Sequence, residues 1–158
     1  MDSFEKALKK YGSRSPPKST RKPSRSNAQH VYLDPITLLE TEKTSTSLLF
    51  DSKLEATCYR FLSQHFTIDI QQKLTFWDSL SWKPDFYLKE INAYVEVKGQ
   101  WILRDDARSN RDLFVWQYIT AINHGYSLYL CSDSSFQIGL IEVLDYVSLS
   151  KHLVGLKQ

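Results

Sequence analysis

Asp85, Glu96 and Lys98 are the residues whose type and spacing bear on chemistry. They lie in residues 83–99, which read as two short strands joined by a tight connection. Phe86, Leu88, Ala93, Val95 and Val97 alternate with Asp85, Tyr87, Tyr94, Glu96 and Lys98, the period of a sheet with one buried face. An even-length loop around Glu90 and Ile91 pairs Phe86 with Val95 and Leu88 with Ala93, and sets Asp85 opposite Glu96. Their Cβ atoms would stand about 5 Å apart, where like charges destabilise a sheet unless a cation joins them. Lys98 follows on the same face. A slip of one residue would turn every side chain over and abolish the arrangement. Two carboxylates and a lysine suit metal-assisted phosphodiester hydrolysis. Mg²⁺ prefers carboxylate oxygen and retains waters. It can activate a water and stabilise the leaving oxygen. A neighbouring ammonium positions the water or neutralises developing charge.

The surrounding elements follow from periodicity. Residues 52–65 read as a helix, with Leu54, Cys58, Phe61, Leu62 and His65 on one apolar face and Ser52–Glu55 spaced as a capping box. Residues 68–76 read as a first strand, with Ile68, Ile70, Leu74 and Phe76 on one face and Gln72 as a polar edge residue. Residues 77–80 turn, Trp82 opens the second strand, and Pro84 marks it as an edge or a start. Residues 104–123 read as a second helix with a stripe of Phe114, Val115, Tyr118 and Ile122, stopped at Asn123-His124-Gly125. On it Arg104, Arg108 and Arg111 share a face, either as a phosphate clamp near the metal or as a solvated face paired with Asp105, Asp106 and Asp112. Residues 126–131 form a well-covered strand, 138–144 a fifth, and 146–153 a closing helix. Residues 31–49 fit short strands or a helical turn. Meander, crossover helix and further strand together give an α/β class with a mixed β-sheet flanked by helices.

The net charge of +2 conceals an asymmetry: residues 1–30 hold eight Lys or Arg against two acids, the remainder twelve against sixteen. Residues 1–30 are too polar to bury a core and read as a disordered basic arm. Lys18, Arg21, Lys22 and Arg25 would grip nucleic-acid phosphates, or the arm is a solubilising tail. Residues 31–158 then form one domain. No apolar run approaches the ~20 residues of a membrane span, and residues 1–6 lack the apolar core of a signal peptide. Cys58 and Cys131 lack metal spacing and read as reduced core thiols of an intracellular protein. The four histidines are scattered, and no Gly-rich phosphate loop or nucleophile elbow is present. The four tryptophans suit base stacking or core and rim packing.

Pro84-Asp85, ten intervening residues and Glu96-Val97-Lys98 resemble the motif of the PD-(D/E)xK nuclease superfamily. Pro84-Asp85-Phe86 followed by Val95-Glu96-Val97-Lys98-Gly99 and Trp101 is most similar to the junction-resolving endonuclease I family of T7-like phages. It is also similar to small phage-associated nucleases and, more distantly, to the transposon-end-cleaving subunit TnsA. Ser52, Leu54 and Glu55 match the endonuclease I pattern, and the likeness covers residues 50–135. It implies a restriction-endonuclease-like core and a Mg²⁺-dependent endodeoxyribonuclease, with Mn²⁺ substituting. Asp85, Glu96, the Val97 carbonyl and Glu55 would hold the metal, and Lys98 would support the nucleophile. Gln72 falls where related nucleases often carry a Gln. The implied substrate is DNA, branched or junction DNA in phage or mobile-element biology, and its two-fold character suits a homodimer. A site-specific nickase or transposon-end nuclease would use the same residues. A binding module without turnover is the reading from another class. The chain departs from the family in gathering its basic residues at the N-terminus rather than in a C-terminal tail.

Overall fold

The computed structural model describes residues 16–17, 30–70, 72–77 and 80–157. The expected basic arm, with Lys18, Arg21, Lys22 and Arg25, lies outside the described residues. At the centre is the hairpin of β7 (Phe86–Leu88) and β8 (Ala93–Val97). Its register is Phe86 to Val95, Tyr87 to Tyr94 and Leu88 to Ala93, as alternation and an even loop require. The loop is a single 3-10 turn, Lys89–Ile91, closed by Asn92 at φ 48°. Asn tolerates this left-handed conformation better than most residues, and its Oδ1 accepts a bond from the Tyr87 hydroxyl at 2.7 Å.

Around the hairpin runs a six-stranded sheet. β4 (Ile68–Ile70) pairs antiparallel with β7; β9 (Leu128–Ser132) lies parallel to β8; β11 (Ile141–Asp145) lies parallel to β9; and β10 (Phe136–Ile138) returns antiparallel at the edge. Parallel neighbours need a long crossover, and between β8 and β9 it is α2 (Arg108–Asn123). On one face α1 (Lys53–Leu62) and α3 (Tyr146–Leu156) bury Ala56, Cys58, Leu62, Leu149 and Leu153 against Phe86, Leu88, Val95 and Cys131. On the other, α2 sets Phe114 against Leu130, and Trp116 among Tyr94 and Leu128. The chain is therefore α/β, a mixed sheet between helical layers. β8 is central, so Ala93, Tyr94, Val95 and Glu96 are all buried. The expectation of one buried face is corrected: alternation reports the chemical difference between two faces, and here α2 covers the polar one.

Several boundaries also differ from expectation. Of the two readings open for residues 31–49, both are present in part: β1 (Val31–Leu33), β2 (Glu40–Thr41) and β3 (Leu48–Phe50) form a small antiparallel sheet, and residues 34–38 make a turn closed by the Leu38 N–H on the Asp34 carbonyl. That turn is held by Asp34, whose Oδ1 accepts from the Ile36 and Thr37 N–H groups, each at 2.8 Å. The expected single strand 68–76 is two. Ile68–Ile70 joins the main sheet, while β5 (Leu74–Thr75) pairs with β6 (Ser81–Trp82) in a separate ribbon. Leu74 and Phe76 thus join the cluster around Trp116 instead of the α1 core. Trp82 belongs to that ribbon, and the second strand proper begins at Phe86. Residues 138–144 bend at Gly139, whose φ of 62° closes a β-turn between β10 and β11. The first helix ends at Leu62, leaving His65 exposed beyond it. Helix α2 starts at Arg108, not 104, after two 3-10 turns over 100–107. It buries Phe114, Trp116, Ile119, Thr120 and Ala121, while Ile122 is exposed. Among the described residues no helix is long and apolar enough to cross a membrane.

Candidate active site

The site lies where β7 and β8 part company. Pro84 has no N–H to give to a ladder, and hydrogen bonding between the strands passes there to side chains. The Asp85 N–H donates to Glu96 Oε1 at 3.1 Å, and the Val97 N–H donates to Asp85 Oδ2 at 2.8 Å. Asp85 and Glu96 therefore stand opposite each other as the register demands. Lys98 Nζ closes on Glu96 Oε2 at 2.8 Å. Its backbone N–H donates to the Cys131 carbonyl at 2.9 Å, so β9 fixes the chain as it leaves β8.

Glu55 comes from the first turn of α1. Ser52 caps that helix by accepting the Glu55 N–H at 3.1 Å, and Glu55 Oε2 accepts the Asp51 N–H at 3.2 Å. The bond back goes one residue before the cap, a variant of the capping box. The same carboxyl lies near enough to Asp85 for each to shift the other's protonation. Capping and membership of the site are therefore simultaneous in Glu55.

These contacts gather three carboxyls against one ammonium. Burial first, and then the charge of Glu55, push Asp85 up to about 7. Burial raises Glu96 to about 8, with Asp85 adding to the rise and Lys98 opposing it. Burial raises Glu55 as well, while its hydrogen bond with Asp85 draws it back. Full ionisation would leave two uncompensated negative charges in a poorly solvated place, which is costly. An oxygen-preferring divalent cation has the charge and ligand taste to relieve that cost, so the donor set fits Mg²⁺ or Mn²⁺. As they stand, no three His, Cys, Asp or Glu side chains among the described residues converge as a ligand set. Glu96 Oε2 is turned to Lys98 and Asp85 Oδ2 to the Val97 N–H. Ion binding would require those carboxylates to turn. Val97, whose carbonyl was the further expected ligand, lies beside Cys131 in the parallel register.

The arginines are arranged otherwise than their spacing implies. Arg104 precedes α2, so it shares no helix face with Arg108 and Arg111. Its guanidinium pairs with Asp106, with Nε to Oδ1 at 3.0 Å. Arg111 Nη1 donates to the carbonyls of Ile102 (2.8 Å) and Arg104 (3.2 Å), tying the 3-10 turns to the helix. Arg108 is exposed at the first position of α2. Gln72 is exposed between β4 and β5, outside both ladders.

Further neighbours frame the site. The Lys98 ammonium stands over the Phe114 ring, and Gln100 Nε2 donates to Ser134 Oγ at 2.7 Å. The indole of Trp101 folds back over Gly99, where an added Cβ would lie 2.9 Å from Trp101 Cδ1. Gly99 has φ −81°, so its need is for space, not for backbone freedom. Gly99→Ala is expected to push the indole aside and cost about 1–2 kcal/mol, read as a lowered melting temperature with altered tryptophan emission. Cys58 and Cys131 are buried free thiols with Sγ atoms 3.3 Å apart, and their shared hydrogen bond and burial push the Cys58 thiol far up. No family profile, curated protein or solved structure significantly matches the chain.

Proposed function

We propose that the chain is a divalent-metal-dependent endodeoxyribonuclease of the PD-(D/E)xK type. One observation carries the reading: at the open end of the β7–β8 hairpin Asp85 stands opposite Glu96, Lys98 bonds Glu96, and Glu55 approaches Asp85 from α1. The resemblance of residues 50–135 to the endonuclease I family supports it and points to branched or junction DNA, acted on by a homodimer.

In this reading Asp85, Glu96, the Val97 carbonyl and Glu55 would hold Mg²⁺ or Mn²⁺. The bound ion supplies charge for the phosphoryl oxygens and a more acidic water. Lys98, which donates to Glu96, would support a phosphate oxygen or the attacking water. Glu55 is restrained at the helix N-terminus by the Asp51 N–H, which limits the entropy lost on ordering it. In the metal-free site burial raises the Asp85 and Glu96 carboxyls toward neutrality, and a bound cation would displace those protons.

A second reading, a nucleic-acid-binding module without turnover, is favoured by one feature. Asp85 and Glu96 are already engaged by protein donors. Supercoiled plasmid, linear duplex, single strand and a four-way junction, each offered with Mg²⁺ or Mn²⁺, separate the two. Metal-dependent cleavage with preference for the junction is the expected result. Equal cutting of all four removes the junction assignment, and binding without any cleavage favours the module.

A further inference from the structure

Among the described residues the Lys98 ammonium bonds the Glu96 carboxylate and also lies against an aromatic ring. Nζ lies 2.8 Å from Glu96 Oε2 and 4.7 Å from the centroid of the Phe114 ring. The Lys98 side chain is 17% exposed, so it has largely left water. Phe114 itself is 2% exposed, in the second turn of α2, with its ring edged by Trp82 (6.3 Å) and Tyr118 (6.3 Å). The ring can therefore neither swing away nor be replaced by solvent without repacking. Arg111 holds the start of this helix to the two carbonyls that precede it.

An aromatic face attracts a cation through its quadrupole, more strongly when the cation is desolvated. A leucine of similar size would fill the space without that attraction. An ammonium has three donors; the Glu96 bond uses one, and the ring face attracts the cation without demanding a proton acceptor. We infer that Phe114 is the positioning residue of Lys98: its π face fixes the ammonium against Glu96 and leaves a donor for the substrate phosphate. The inference concerns the nuclease reading of this site and rests on it for its catalytic consequence, but not for the geometry.

Replacement of Phe114 by mono-, di- and trifluorophenylalanine keeps its shape while weakening the quadrupole stepwise, which separates this role from packing. With metal and DNA, kcat is expected to fall progressively along the series with KM within about twofold. Phe114→Leu is expected to lose about 3- to 30-fold, the range of such contacts, with an unchanged circular-dichroism spectrum. A flat fluorination series would overturn the proposal, since only packing would then be involved. The Lys98 side-chain resonances give a readout independent of turnover. Ring current should shift the Lys98 Hε protons upfield in wild type, and the shift should vanish in Phe114→Leu. Ordinary Hε shifts in wild type would overturn the proposal even in an active enzyme. Shifted Hε protons in a protein without cleavage would sustain the geometry and sink the nuclease reading instead.

Discussion

Asp85→Asn is expected to abolish metal-dependent cleavage while leaving the fold and DNA binding in place. Asparagine has the shape of aspartate, and its Oδ1 can keep the bond from the Val97 N–H now accepted by Asp85 Oδ2. Its Nδ2 can donate to the Glu55 carboxyl that meets Asp85. It lacks the negative charge that a hard divalent ion needs from its ligands. Losing a charge that stabilises the metal and, through it, the transition state is worth several kcal/mol, or on the order of 10³-fold in rate. Cleavage time courses in Mg²⁺, beside a binding isotherm for the same DNA, measure both halves. Asp85→Asn cutting within a few-fold of wild type would remove Asp85 from the chemistry. Loss of binding together with cleavage would show that the residue serves substrate contact instead.

The central hairpin was legible because local signals agreed. Alternation fixed the faces, an even loop was the premise that set the register, and Pro84 marked an edge or a start although the strand was expected to open at Trp82. Given that premise Asp85 stands opposite Glu96, and the structure has that register. Glu55 was legible as a cap through its capping box and as a site residue only through the family resemblance, since its link to Asp85 depends on how α1 packs across the sheet, which no local pattern encodes. The arginines show the opposite case. Spacings of four and three imply a shared face only if the residues lie on one helix. The 3-10 turns over 100–107 break that premise, and Arg111 is engaged by the backbone of those turns. The break within residues 68–76 was hidden for a similar reason. Leu74 and Phe76 fit the apolar alternation equally well in the main sheet or in the small ribbon, and the aromatic cluster around Trp116 decides between them. Phe114 was visible as part of an apolar stripe, but its place beneath Lys98 comes from the α2 crossover, a long-range contact between residues of unlike chemistry.

The same carboxyls give the metal-free protein an unusual stability profile. Asp85 and Glu96 are raised from ordinary values of 3.8 and 4.5 to about 7 and about 8. Across that interval the folded chain binds more protons than the unfolded chain, so stability must fall as pH rises. The stabilising contribution of the protonated carboxyls is largest near the unfolded values and is lost through the folded ones. Metal-free protein should therefore lose roughly 2–5 kcal/mol between about pH 5 and pH 8.5, the coupled pair sharing one relaxation. Millimolar Mg²⁺ should oppose that loss increasingly as pH rises, because the ion binds the ionised carboxylates and displaces their protons. Asp85→Asn should flatten the profile and raise stability at pH 8, since it removes one buried like charge without opening a cavity. Urea unfolding midpoints at a series of pH values, with EDTA and with Mg²⁺, test the sign directly. Metal-free stability that climbs from pH 5 to pH 8 would mean that Asp85 and Glu96 are ionised at little cost. The electrostatic case for a cation at this site would then be gone, even though the two carboxylates remain side by side.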